Sequence, residues 1–172
     1  MSDNIDNALN AAIRAMENVI TPTIDPAHPL ATEQAELVTR TLKLLKAQLP
    51  YRMSKAIRDL FETVEMASSL LPLAKWSPEI TGQLSRATES GREILRSAAS
   101  SQECVDTATR SIDVRVCALV RAARIAQVHE QMSIEEIVLL ASKELVTNEI
   151  AWFEAQGWAT SGTVPGIEER FA

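Results

Sequence analysis

The sequence predicts an all-α fold, a single-domain bundle of about five to six helices near 3–20, 30–49, 51–73, 78–98, 101–128 and 133–156. Three observations carry this. Apolar residues recur at three- and four-residue spacing along most of the chain. Only five glycines occur in 172 residues, too few for the many turns of an all-β or doubly wound fold, while strong helix formers abound. No segment alternates apolar and polar residues as a strand would.

The first segment carries Ile5, Leu9, Ala12, Ile13, Met16, Val19 and Ile20 on one stripe, with Thr21-Pro22 as its stop. Three prolines between Pro22 and Pro29 predict an extended, stiff connector. In the second segment Gln34, Val38, Thr41, Leu42, Leu45 and Leu49 are expected inward. In the third, Met53, Ile57, Leu60, Phe61, Val64, Ser68 and Leu71 are expected inward. Projected on one helix the two stripes differ by roughly 100°, so one straight helix would bury only one of them. A kink or break at Pro50 is therefore required.

Ser77-Pro78-Glu79 combines a capping hydroxyl, proline at the first helical position and an acid in the first turn. Gly91 lies mid-stripe in that helix, where a missing side chain admits a close neighbour. Ser100 with Glu103, and Ser133 with Glu136, have capping-box spacing and open the last two helices. Gly157 is the expected stop, making residues 1–157 the bundle and 158–172 a tail with room for one short turn at Pro165–Arg170.

Both late helices have apolar surface beyond one stripe. In the fifth, Ile112, Val116, Leu119, Ala123 and Ala126 form one face and Val114, Ala118 and Ile125 another. In the last, Ile134, Ile137, Val138, Ala141, Leu145 and Trp152 form one face, and Leu139, Val146, Ile150 and Phe153 form a second. A helix apolar over more than half its circumference is central to a bundle or contacts another subunit. Those last four residues are the interface candidates, and a homo-oligomer or a protein partner is expected.

The net charge of −6 is uneven. Residues 1–128 hold 15 acids and 15 bases, while residues 129–172 hold eight acids against Lys143 and Arg170. Without a segregated basic face, nucleic acid is a poor partner. No apolar stretch approaches the roughly 20 residues of a membrane span, and Met1–Asp6 resembles no secretory leader. Cys104 and Cys117, about 20 Å apart on one helix, suit a reducing cytoplasm rather than a disulfide framework.

Chemistry has few footholds. Glu33-x-x-Glu36 and Glu62-x-x-Glu65 resemble the acid pairs of all-α nucleotide pyrophosphatases, which would imply Mg²⁺ held on a diphosphate. The third element of that pattern, Glu-x-x-Asp, is missing, and Arg58, Arg40 and Lys43 are spaced to pair with Glu62 and Glu36 on solvated faces. A ferritin-type centre needs Glu-x-x-His pairs, which neither His28 nor His129 supplies. Cys117 and His129 are too far apart on a helix to act together, and no nucleophile elbow or phosphate loop occurs. Met132–Ile150 opens like a helix-turn-helix but has no turn glycine.

Residues 86–124 contain seven arginines and no lysine. Arg110, Arg121 and Arg124 project to one side and Arg115 falls near the apolar stripe, so these four are the candidates for holding an anionic ligand between helices. Structural pairing with Asp106, Asp113 or the acidic last helix explains them more simply. No cofactor, metal or catalytic residue is expected. The sequence reads as a structural or accessory protein working through protein–protein contacts.

Overall fold

The computed structural model describes residues 2–154 and 165–172, and the regular structure of those residues is entirely helical. The order is α1 Ser2–Ala15, a π-helical turn Met16–Ile20, α2 Thr21–Thr23, α3 Pro29–Gln48, a 3-10 turn Leu49–Tyr51, α4 Arg52–Leu70, a 3-10 turn Leu71–Ala74, α5 Pro78–Arg96, α6 Gln102–Ala126, α7 Gln131–Trp152 and α8 Ile167–Phe171. None of these helices is long and apolar enough to cross a membrane. The chain gathers into two compact units. One holds the described residues up to Arg52 with those from Ile150 to Arg170 and Ala172, and the other holds Met53–Glu149 with Phe171. The last helix ends at Trp152, short of the expected Gln156, while the stop at Gly157 and the tail boundary at 158 lie outside the described residues.

In the first unit the local rules bend twice. Pro22 does not stop the first helix. The turn before it widens so that the Thr21 amide donates to Met16 O, five residues back, and α2 follows. A proline lacks the amide and crowds the carbonyl four residues earlier, and a π turn relieves both. The wider turn also rotates the face of the helix. Ile13 is buried, but Val19 and Ile20, expected inward, are exposed. The connector is not extended either. Asp25 accepts the Ala27 amide on its carboxylate at 2.9 Å and the His28 amide on its carbonyl at 2.9 Å, folding it into a turn.

Along α3 the inward face is Ala35, Thr39, Leu44 and Gln48, while Val38 and Leu45 are exposed, which corrects the expected stripe. Polar residues can be buried here because they are satisfied. Thr39 donates to Ala35 O at 2.8 Å, and the Gln48 amide donates to Trp152 O at 2.9 Å. Pro50 sits in the 3-10 turn that separates α3 from α4, as the mismatch between the two stripes demands.

The second unit is built around Leu60, Leu70, Leu84, Ile112, Leu119 and Ile134, all fully buried. Along α4 the inward side is Ala56, Leu60, Thr63, Val64, Ala67 and Leu70. Ile57 and Phe61, expected inward, are exposed. Gly91 accounts for this choice. A Cβ there would lie 2.9 Å from Val64 Cγ2 and 3.0 Å from Ile112 Cδ1, so α4, α5 and α6 meet at its bare backbone. Val64 and Leu60 are the α4 side chains that face Gly91, and the bulkier Phe61 is exposed.

Capping differs from the sequence pattern in detail. Ser77 precedes α5 without a side-chain cap; its carbonyl accepts from the Thr81 hydroxyl and amide. Ser101 rather than Ser100 caps α6, accepting the Cys104 amide at 3.3 Å, because the Ser100 hydroxyl is used on Ile94 O. The end of α6 is a left-handed Gln127 (φ 50°), with the Gln127 amide on Arg124 O and the Val128 amide on Ala123 O. That paired closure satisfies the last carbonyls of α6. It lets α7 begin at Gln131, which leaves Ser133 inside the helix rather than at its cap.

Candidate interaction face

The helix α7 presents two different sides. Ile134 is buried in the core of the second unit, and Ile137, Val138 and Ala141 pack against that core. The opposite line of the helix runs through Met132, Glu136, Leu139, Lys143 and Val146, at successive spacings of four, three, four and three. Met132 is 81% exposed, Leu139 72% and Val146 55%. Leu140 at the edge of this line is exposed too. Of the four interface candidates, Leu139, Val146 and Ile150 are exposed and Phe153, just past the helix end, is half-buried. The only charges on the central line are Glu136 and Lys143, of opposite sign.

What holds the inner side down is partly polar. Asn148 is fully buried and donates to Asp59 Oδ1 at 2.9 Å. Lys55, only 13% exposed, bridges Asp59 at 2.6 Å and Glu149 at 2.5 Å, tying α4 to α7. Burial by itself would lower the Lys55 ammonium, but hydrogen bonds and charge from Asp59 and Glu149 outweigh it and hold the group above its ordinary value. Asp113 on α6 is pushed up, first by burial and then by the Asp59 charge. Sequence pattern gave no sign of this cluster. Asn148 sits between Thr147 and Glu149 like any surface polar residue, and Lys55 and Asp59 look like an ordinary surface pair four residues apart.

The four arginine candidates are not drawn together into a pocket. Arg110, Arg121 and Arg124 are exposed along α6. Arg110 donates to Asp106 O, and Arg124 pairs with Glu135 at 3.5 Å. Arg115 is half-buried and spends Nη1 on Ser111 O at 2.6 Å and Ser111 Oγ at 2.9 Å. Its Nε is buried without a hydrogen-bond partner among the described residues. A groove of about 380 Å³ between α5 and α6 is lined by Ser90, Ile94, Glu103, Cys104, Thr107 and Ser111, and by none of these arginines.

The remaining candidates fall into ordinary surroundings. Glu36 lines an open groove of about 530 Å³ with Glu17, Arg40 and Lys43, where Arg40 pairs with Glu36 at 3.4 Å and Lys43 with Glu17 at 2.6 Å. Glu33 and Glu65 are exposed and Glu62 is half-buried. Among the described residues, no three His, Cys, Asp or Glu side chains are grouped to hold a metal ion. His129 is exposed and pairs with Glu130 at 2.8 Å, and Cys104 and Cys117 are exposed free thiols. Met132–Ile150 is one unbroken stretch of helix, without the turn a helix-turn-helix requires. The chain matches no protein-family model, no curated protein and no solved structure.

Proposed function

We propose that the protein is a structural or accessory helical protein that acts through protein–protein contacts and self-associates through the outer line of α7. The observation that carries this reading is the outward apolar row Met132, Leu139 and Val146, on a helix whose other side is already committed to the core. A solvent-facing helix surface normally carries charges at such positions, and a row of large apolar side chains marks a contact surface. The exposed thiols Cys104 and Cys117 suit a reducing compartment, so the cytoplasm is its place of action. A ligand-binding bundle centred on Arg115 has less support, because the Ser111 contacts use its Nη1 and the grooves described above are lined by other residues.

The test is sedimentation equilibrium across a wide concentration range. The native chain should form a dimer or larger species, and Leu139→Glu combined with Val146→Glu should yield a monomer with unchanged helical content. A native chain that stays monomeric at every concentration would sink the reading.

A further inference from the structure

We infer that the partner of the α7 outer face is the same face of a second copy, packed antiparallel about a two-fold axis at the level of residue 139. This rests on the self-association proposed above and adds its geometry. The apolar members do not choose an orientation, because Met132, Leu139 and Val146 would find apolar contact either way. The charges do choose. In a parallel pair each Glu136 would face Glu136 of the second copy and each Lys143 would face Lys143, placing like charges within an apolar seam.

In the antiparallel pair, Leu139 lies opposite Leu139 of the second copy, and Met132 opposite Val146. Glu136 and Lys143 of the second copy are then one residue apart along the axis, about 1.5 Å, within reach of two long side chains. The two-fold repeats this contact, so two ion pairs flank a centre of two leucines. The aliphatic stem of each Lys143 adds apolar contact along the seam while its ammonium reaches the carboxylate. Neither Glu136 nor Lys143 has an ion-pair partner among the described residues, so both are available.

Charge reversal tests the pairing. Glu136→Lys or Lys143→Glu alone should raise the dimer dissociation constant roughly tenfold, and the double variant should restore it. In a parallel dimer the single reversals would leave the like-charge contacts as numerous as before. Orientation is measured by spin labels on Ser133→Cys, an exposed site beside the face, in a chain carrying Cys104→Ser and Cys117→Ser. The antiparallel pair puts the two labels about 18 Å apart along the axis on top of their separation across it, whereas a parallel pair leaves only the roughly 10–15 Å across it. The short distance, or a double variant that fails to recover, overturns the antiparallel assignment and leaves self-association standing. A chain that is monomeric throughout overturns both.

Discussion

The two compact units divide their apolar side chains in opposite ways. Within Met53–Glu149, Leu60, Leu84, Ile112, Leu119 and Ile134 have no exposed surface. In the unit that contains α1 and α3, the buried apolar residues are Ile13, Leu44 and the small Ala35 and Ala151, alongside Thr39 and Gln48. Its larger side chains Val19, Leu30, Leu37, Val38 and Leu45 are exposed instead. Burial of a large aliphatic side chain stabilises by about 1.5–3 kcal/mol, so the second unit holds most of the apolar contribution to folding. The first leaves much of its apolar surface exposed. The same contrast is repeated in miniature on α7, with one side in the core and the other facing out.

The contrast can be broken most directly by deleting large side chains on each side of it. Ile112→Ala or Leu84→Ala should cost about 3–4 kcal/mol in denaturant unfolding, since both sites are sealed and close-packed. Leu37→Ala or Leu45→Ala should change stability by less than about 0.5–1 kcal/mol. Similar losses at both kinds of site would break the contrast in burial. Next in size is overpacking: Gly91→Val should destabilise by about 1–3 kcal/mol, because the new side chain meets Val64 and Ile112. An unchanged midpoint would show that the α4–α5–α6 junction has slack.

The polar cluster is one of the second unit's departures from a purely apolar interior, beside the buried Thr63 and Thr88. Asn148→Ala should cost about 1–3 kcal/mol by removing a buried donor from the Asp59 carboxylate. The smallest effect is electrostatic, and its sign is fixed by direction. Asp113 keeps its proton to higher pH in the folded protein than in the unfolded chain. Stability therefore falls as the pH rises from about 3.9, the ordinary aspartate value, through the raised folded-state value, and the loss persists at neutral pH. Asp113→Asn should accordingly be more stable than the native chain at pH 7 and lose that advantage near pH 3. Lys55 behaves in the opposite range, contributing fully below about pH 10.4 and fading as the pH rises through its raised folded value. Paired pH titrations of unfolding midpoints measure both.

How much of this was legible beforehand differs by residue. The break at Pro50 was, because two stripes out of phase cannot both be buried on one straight helix. The close approach at Gly91 and the two apolar sides of α7 were as well, since each follows from side-chain size and spacing alone. Pro22 was misread as a stop because a π turn gives no sequence signal when it absorbs a proline. The caps at Ser100 and Ser133 were misread because several local patterns compete there, and the neighbouring helix end decides among them.

The amino-acid sequence by itself determined that this chain is helical, where Pro50 breaks it, and that α7 carries apolar residues on two sides. Helix propensity, proline geometry and side-chain period act within a few residues and need no partner. Only the tertiary structure decided that α3 turns Ala35 and Thr39 inward and leaves Val38 and Leu45 outside, or that α4 does the same with Phe61. It also decided that Asn148, Lys55 and Asp59 share one buried network. These outcomes depend on how closely neighbouring backbones approach and which polar groups find partners there, and both are set by side chains far apart in the sequence.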